Sequence, residues 1–112
     1  MQVFDMIAAA EFSADGLAKK NLFSSPRMFL DIYCLEPEQA QAVHTHTDND
    51  KAYLVIQGRV EVTLGAEREL LGPGQAAVAP AGVPHGITNH SGSRAVVAVV
   101  MAPHPSWGRE KR

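Results

Sequence analysis

Turn-forming residues divide this chain into many short segments in which apolar and polar side chains alternate. Alternation with a period of two suits a strand, because successive side chains of a strand point to opposite faces. Such segments cover residues 27–35, 42–46, 51–57, 60–64, 69–71 and 84–89. Residues 76–79 predict a further short strand, and residues 94–101 form a near-continuous apolar run, which predicts a last strand buried on both faces. Glycine, proline, asparagine and aspartate separate them, as in Gly72-Pro73-Gly74. Short strands with frequent turns predict an all-β sandwich or barrel.

The two ends of the chain lie outside the strand-rich part of the sequence. We expect one domain over residues 1–112, with an N-terminal arm at 1–16 and a C-terminal tail at 103–112. The alanines within residues 6–12 allow either a short helix or irregular coil. The tail is charged, so we expect it to be frayed, with Trp107 as the residue able to dock.

Length and composition restrict the partners. A chain of 112 residues builds a thin core, and pairing with a second copy would enlarge it, so we expect a homodimer. A net charge of -2 gives no basic field, which argues against a nucleic-acid partner. We find neither a bilayer-spanning apolar run nor a signal peptide, so we expect no membrane partner. The single cysteine, Cys34, excludes an internal disulfide and fits a reducing cytoplasm.

Three histidines stand at spacings that suit a metal site. His44 and His46 are two residues apart, so one face of a strand carries both imidazoles. His85 comes from a second segment, in which the glycines and prolines of residues 74–84 allow tight turns. Imidazole suits zinc, iron and nickel, and three protein ligands leave open coordination positions as in catalytic sites. The spacing therefore predicts a metal site formed by these three residues.

The strand that follows the histidine pair supplies further candidates for the pocket. Lys51, Tyr53 and Gln57 share one face of the predicted strand 51–57. If this strand pairs with the histidine strand, these side chains line the same cavity. For Tyr53, ordinary packing inside a barrel is the preferred interpretation.

Residues 74–89 resemble the second sequence motif of the cupin superfamily, G-x5-P-x-G-x2-H-x3-N. Every defined position of that motif is matched, by Gly74, Pro80, Gly82, His85 and Asn89. Residues 38–58 resemble the first motif, G-x5-H-x-H-x3-4-E-x6-G, through His44, His46 and Gly58. Two positions depart from it, since Glu38 replaces the leading glycine and Lys51 replaces the glutamate.

The resemblance implies an all-β fold of the single-domain cupin jelly-roll type, commonly a dimer with a metal inside the barrel. On this analogy His44, His46 and His85 bind one divalent transition metal, namely Fe, Mn, Ni or Zn. Asn89 would support the turn after the last ligand, together with Gly74, Pro80 and Gly82. Thiol dioxygenases of this superfamily use three-histidine iron sites that lack the glutamate, so the replacement by Lys51 is compatible with dioxygenase-like chemistry.

Lys51 is the informative departure from the motif. An ammonium cannot ligate a metal, and at ~6 Å and an effective dielectric of ~20 it would repel a dication by roughly 5 kcal/mol. We consider three outcomes, in order of preference. Lys51 turns outward and water completes a three-histidine site; the metal is lost and Lys51 pairs with a carboxylate or an anionic ligand; or Asp50 becomes the ligand, which requires a bulge in the strand.

Two functions follow from these residues. The first is a small metal-binding protein that acts as a dioxygenase-like enzyme on a small organic substrate. The alternative is a non-enzymatic ligand-binding or sensor protein that holds a small anion or a sugar near Lys51. A metal that only stabilises the barrel is a third interpretation. No catalytic side chain can be named, because we find no nucleophile arrangement in the sequence.

Overall fold

The computed structural model describes residues 1–106, so the predicted frayed tail and Trp107 fall largely outside the described residues. Within this part of the chain nine strands form: β1 Ala18–Ser25, β2 Met28–Leu35, β3 Ala40–His44, β4 Asp50–Gln57, β5 Val60–Leu64, β6 Glu67–Leu71, β7 Ala76–Ala79, β8 His85–Thr88 and β9 Ala95–Ala102. The described residues contain no helix that is long and apolar enough to cross a membrane. The prediction of an all-β chain is confirmed.

The strands form two antiparallel sheets. One sheet has five strands in the order β1-β2-β9-β4-β7, and the other has four in the order β3-β8-β5-β6. Strands that are distant in sequence are neighbours in both sheets, as β9 lies between β2 and β4. The two sheets enclose one core, as in the predicted jelly-roll barrel.

The core between the sheets comes from alternate residues of the strands. Its buried members include Tyr33, Leu35, Tyr53, Val55, Val60, Val62, Ile87, Val97 and Val99. Val96 and Ala98 of β9 point to the other side of the sheet and are buried as well, with 1% and 3% exposure. The last strand is therefore buried on both faces, as its apolar sequence predicts.

The N-terminal segment covers part of the outer face of the five-stranded sheet. Met6, Ala9, Ala10 and Phe12 pack against an outer cluster formed by Ile32, Cys34 and Val96. Residues 6–9 form a turn, closed by a hydrogen bond from the Ala9 amide to the Asp5 carbonyl oxygen at 3.0 Å. The turn does not continue into a helix. A single helical turn is unstable on its own, and here the outer cluster contacts only the apolar side chains of the turn.

β1, β3 and β6 differ most from the predicted strands, while β2, β4, β8 and β9 differ by one residue at one or both ends. β1 was not predicted, because Lys19, Lys20 and Asn21 interrupt its apolar residues; pairing with β2 forms the strand. β3 runs from Ala40 to His44 and not over residues 42–46. β6 begins at Glu67, two residues earlier than expected.

The turn between β4 and β5 depends on Gly58. Its φ of 77° lies in the left-handed region, which side chains other than glycine rarely adopt. A Cβ atom at this position would overlap the Arg94 carbonyl oxygen and would lie 2.9 Å from the Ala95 Cα atom. The turn therefore packs directly on the start of β9.

We expect Gly58→Ala to lower the free energy of unfolding by about 2 kcal/mol or more, because strain and overlap act together. Denaturant unfolding followed by circular dichroism measures this change. Gly92→Ala is the matched control, since a Cβ there meets nothing within 4 Å, and its effect should stay within about 0.5 kcal/mol. Equal effects of the two substitutions would contradict this account of the turn.

Candidate metal centre

Three histidines converge in the space between the two sheets. One ring nitrogen from each of His44, His46 and His85 lies within 4.8 Å of the others. His44 ends β3 and faces His85, which opens β8, as a register partner. The ring centroids of these two residues are 4.5 Å apart. His46 follows the strand, and its ring centroid lies 4.9 Å from that of His44. We call these three residues the histidine triad.

A bulge in β3 determines which side chains of this strand face the interior. The register passes from Gln41 opposite Ile87 to His44 opposite His85, so β3 advances by three residues while β8 advances by two. The extra residue places both Gln41 and His44 on the inner face, although an odd separation would otherwise put them on opposite faces. Gly86 lies opposite the bulge and allows it.

Glycine is required at position 86 by close contact between the two backbones. A Cβ atom there would lie 2.8 Å from the Gln41 carbonyl oxygen and 3.0 Å from the Val43 amide nitrogen. Backbone atoms cannot move aside as a flexible side chain can. The absence of a side chain at Gly86 therefore positions His44 against His85.

Hydrogen bonds orient two of the imidazole rings. Nδ1 of His44 lies 2.8 Å from the Ala42 carbonyl oxygen, and Nδ1 of His85 lies 2.9 Å from the Val83 carbonyl oxygen. A carbonyl oxygen only accepts, so in the neutral rings Nδ1 carries the proton and Nε2 keeps its lone pair. This is the arrangement that metal-binding histidines adopt when Nε2 is the ligand atom.

The surroundings of the His85 Nε2 atom indicate whether the triad suits a metal ion. His85 is 2% exposed, and this nitrogen is buried without a hydrogen-bond partner in the described part of the chain. A buried polar atom without a partner is costly, and coordination to an ion would satisfy it. The donor set of the triad thus fits a divalent transition metal.

Burial and neighbouring charge favour the neutral form of His46 and His85. Burial lowers the pKa of His46, and the charges of His44 and Lys51 lower it further. Burial is also the main cause of the lowered pKa of His85, against which the hydrogen bond to the Val83 carbonyl acts. Both rings are therefore neutral at neutral pH, and neutral imidazole is the ligating form.

Lys51 lies inside the barrel and takes part in a hydrogen-bond network. Its side chain on β4 is 2% exposed, and Nζ donates to Oε1 of Gln41 at 3.2 Å. The Tyr53 hydroxyl donates to the same oxygen at 2.8 Å, and Nε2 of Gln41 donates to the Tyr33 hydroxyl at 3.3 Å. We call these four residues the Gln41 network.

The preferred expectation that Lys51 turns outward is wrong. Lys51 pairs with Ala79 on one side and Met101 on the other, and both of these residues also point into the barrel. Turning outward would require the whole strand to shift its register by one residue. The ammonium instead lies 5.1 Å from the ring centroid of Tyr53 and 5.3 Å from that of Tyr33, where cation–π attraction stabilises it.

Burial has a clear electrostatic effect on Lys51. It lowers the pKa of the ammonium to about 8, and the charge of Lys19 acts in the same direction. Asp31 raises this pKa slightly, but within residues 1–106 no carboxylate oxygen lies within 4.0 Å of Nζ. Lys51 therefore has no ion-pair partner in this part of the chain.

The structure brings only some of the other candidate residues to the triad. The Tyr53 side chain is fully buried, and its ring centroid lies 6.1 Å from that of His85. Asp50 is exposed, and its Oδ1 accepts a hydrogen bond from the Ala81 amide at 2.9 Å. Gln57 is exposed at the opposite end of β4 from Lys51, after a register irregularity. Lys51 and Tyr53 thus neighbour the triad, whereas Asp50 and Gln57 do not.

Asn89 holds together the turn that follows β8. Its side chain is fully buried, and Nδ2 donates to the carbonyl oxygens of Leu35 at 3.1 Å and Ser93 at 2.8 Å. Oδ1 accepts from the amide and the hydroxyl of Ser91. All the hydrogen-bonding groups of this amide are thus used in linking the end of β2 to the turn before β9.

The glycines and the proline before His85 shape the connection from β7. Gly74 and Gly82 both have a φ of 85°, which favours glycine. The Gly82 amide donates to the His46 carbonyl oxygen at 2.8 Å, and the Pro80 carbonyl oxygen accepts from the Val83 amide at 3.1 Å. The turn that precedes His85 is therefore tied directly to the backbone of His46.

Gln41 was not identified from the sequence. Strict alternation places it on the opposite face of β3 from His44, and only the bulge brings both inside. A sequence signal was present in Gly86, because a glycine within a short strand suggests a bulge or a close backbone approach.

We expect the metal-free protein to become more stable as pH rises from about 8 to about 10. In this range the folded chain releases the Lys51 proton while the unfolded chain keeps it. Unfolding then requires uptake of a proton, so a higher pH raises the free energy of unfolding. Lys51→Met should remove this rise and increase stability near pH 7 by on the order of 1 to 3 kcal/mol. Urea unfolding at several pH values measures both effects.

Lys20→Met is the control for this experiment. Lys20 forms an exposed ion pair with Glu11 at 2.8 Å, so its removal should leave the rise intact. Above pH 10 the raised pKa of Tyr33, about 12, acts in the opposite direction, so measurements should stop there. A Lys51→Met protein with the same pH dependence as the parent would refute the assignment.

Part of the chain is similar in sequence to a known enzyme, and its fold is similar to that of solved structures. A stretch of 59 residues is 39% identical to quercetin 2,3-dioxygenase from Bacillus subtilis (strain 168), covering 53% of this chain and 18% of that protein. The chain thus spans less than a fifth of this relative. The crystal structure of TT1209 from Thermus thermophilus is similar over 92% of this chain and 98% of that chain, with a TM-score of 0.90 and 47% identity.

A more distant structure shares the fold. An uncharacterized conserved protein with a double-stranded beta-helix domain from Klebsiella pneumoniae has a TM-score of 0.85 at 22% identity, over 92% of this chain and 90% of that chain. Residues 31–101, which contain the whole histidine triad and Lys51, match the Cupin domain family. The two-sheet barrel and this match together show that the chain belongs to the cupin family.

Proposed function

We propose that the chain binds one divalent transition metal through the histidine triad and acts as a dioxygenase-like enzyme on a small organic substrate. The observation that carries the proposal is the convergence of three ring nitrogens within 4.8 Å, one of them buried without a partner. A bound Fe, Mn, Ni or Zn ion would supply a Lewis acid at this position and, in the case of iron, oxygen chemistry. The similarity of 59 residues to quercetin 2,3-dioxygenase of Bacillus subtilis supports the reaction type.

The chain's own residues would orient the substrate and exclude water. Val62 and Ile87, on the paired strands β5 and β8, belong to the apolar core, so a substrate beside His85 would meet apolar side chains as well as the triad. Polar groups of the Gln41 network lie close by, since the Tyr53 ring centroid is 6.1 Å from that of His85 and the Lys51 ammonium is 5.1 Å from the Tyr53 ring centroid. The Tyr53 hydroxyl and the Lys51 ammonium both donate to Oε1 of Gln41. Both are fixed by the same oxygen of Gln41, so they are arranged in advance for a ligand.

A second function is supported by a specific observation on Lys51. The cupin glutamate, which elsewhere can serve as a base, is replaced here by an ammonium without an ion-pair partner in residues 1–106. A protein that only binds or senses a ligand needs no base. The alternative function is therefore the reversible binding of a small anion or a sugar near Lys51.

We expect protein purified without an affinity tag to retain about one metal ion per chain after loading with Fe(II), Mn(II) or Zn(II). His85→Ala should weaken metal affinity about tenfold or more, because it removes the most buried ligand. His90→Ala is the matched control, since His90 is exposed and lies between Glu38 and Glu61. Elemental analysis and calorimetry measure both, and a parent protein that stays metal-free after loading would refute the metal site.

The same preparations separate an enzyme from a binding protein. Oxygen uptake is measured with a panel of thiols, phenols and diketones, using the iron-loaded parent and His85→Ala proteins. Uptake that depends on His85 supports the enzyme. Tight ligand binding without uptake would instead support the alternative function.

We also propose that the chain forms a homodimer through the outer face of the five-stranded sheet. Leu54 and Val78 lie on the paired strands β4 and β7, point away from the core, and are 37% and 57% exposed. Adjacent exposed apolar residues on a sheet face favour association.

Light scattering should give twice the chain mass of 12.1 kDa. Val78→Lys should shift the protein toward the monomer, because a charge would be buried in the interface. Leu70→Lys is the matched control on the other sheet, where Leu70 is 56% exposed. A monomeric parent protein at all concentrations tested would refute the proposal.

A further inference from the structure

The region around the histidine triad has an excess of positive charge. Lys51 is buried there, and Nζ of Lys19 lies 5.1 Å from the ring centroid of Tyr33, the same ring that Lys51 approaches. Asp31 is the acidic residue whose charge acts on Lys51, and its Oδ1 already accepts a hydrogen bond from Nδ2 of Asn21 at 2.7 Å. Buried charges in proteins are normally paired, so this imbalance requires an explanation.

The hydrogen-bonding capacity of Lys51 is also incompletely used. An ammonium has three donors, and the hydrogen bond to Oε1 of Gln41 accounts for one of them. The same oxygen also accepts a hydrogen bond from the Tyr53 hydroxyl, so Lys51 does not have this acceptor to itself. The Tyr53 ring links the ammonium to the triad, since its centroid lies 5.1 Å from Lys51 Nζ and 6.1 Å from the ring centroid of His85.

The tyrosines of the Gln41 network cannot supply the missing negative charge. Burial raises the pKa of Tyr33 to about 12 and raises that of Tyr53 further still. Both hydroxyls are therefore neutral at neutral pH. Imidazole ligands carry no negative charge, so a divalent ion held by the triad would add to the positive charge. An anion from outside the chain would compensate both the ion and the ammonium.

We propose that a small organic oxyanion binds between Lys51 Nζ and the histidine triad, and that this anion and the metal ion bind cooperatively. One ionised oxygen would face the metal position and accept from the ammonium on its other side. The ligand class is that of carboxylates, phenolates and enolates; neutral sugars lack the required charge. The cooperative part rests on the proposed metal site, whereas the contact with the ammonium does not.

Cooperativity is tested with the metal alone and with acetate as the anion. Zn(II) binding is measured by calorimetry in sodium acetate and in sodium perchlorate at equal ionic strength, with correction for zinc acetate formation. In the parent protein acetate should raise Zn(II) affinity by about fivefold or more. In Lys51→Met the affinity in perchlorate should be higher than in the parent, and acetate should change it by less than about twofold. Equal acetate effects in the two proteins would overturn the proposal.

A second variant makes the test independent of removing Lys51. Gln41→Glu places a carboxylate where the Gln41 oxygen accepts from Lys51, with almost no change in shape. This internal anion should raise Zn(II) affinity in perchlorate and abolish the effect of acetate. Lys20→Met is the control for the loss of a lysine, because Lys20 pairs with Glu11 away from the triad. This variant should have the Zn(II) affinity and the acetate effect of the parent protein. A Gln41→Glu protein that keeps the full acetate effect would contradict the proposal.

The metal-free protein separates failure of this inference from failure of the metal site. 4-Nitrophenolate is titrated into the metal-free parent, Lys51→Met and Lys20→Met proteins, and its absorption spectrum reports whether the bound phenol is ionised. The parent and Lys20→Met should bind it in the ionised form, at least about fivefold tighter than Lys51→Met. If zinc binds no variant, the metal site is refuted, and this titration alone decides the anion site. Equal phenolate affinity with and without Lys51 would overturn it.

Discussion

The close approach of β3 to β8 at Gly86 determines which side chains meet inside this barrel. Without a Cβ at that position, the backbone of β3 bulges toward β8 and advances one extra residue. Gln41 and His44 then face the interior together, one toward the tyrosines and the other toward His85. The candidate metal ligands and the network that holds Lys51 thus depend on one backbone contact.

Lys51 gives this cupin a different electrostatic character from that of a site with a carboxylate ligand. A glutamate at this position would cancel part of the charge of a bound ion, whereas the ammonium adds to it. The strand register keeps Lys51 inside, and two aromatic rings and one amide oxygen stabilise it there. The proposed oxyanion would restore the balance, so the ligand itself would complete the site.

Local patterns in the sequence predicted most of the architecture. Residues 60–64 alternate clearly, and residues 76–79 are a short apolar run bounded by turn residues; they form β5 and β7 with the expected boundaries. β1 was missed because its polar residues hide the alternation and because its partner, β2, supports it only in the folded sheet. The candidate ligands were predictable from motif spacing, since turn residues at fixed distances from His85 leave a local signal. The direction of Lys51 was not predictable from its replacement of the glutamate alone.

The sequence by itself determined the all-β class, the resemblance to the cupin motifs and the three histidines, because each depends on spacing along the chain. Only the tertiary structure decided that Gln41 joins the site, that Lys51 points inward without a carboxylate partner in residues 1–106, and that Asp50 instead binds the Ala81 amide. These outcomes depend on strand register and on contacts between residues far apart in sequence. A single bulge changes the face of every side chain beyond it, and no local pattern specifies which partner then lies opposite.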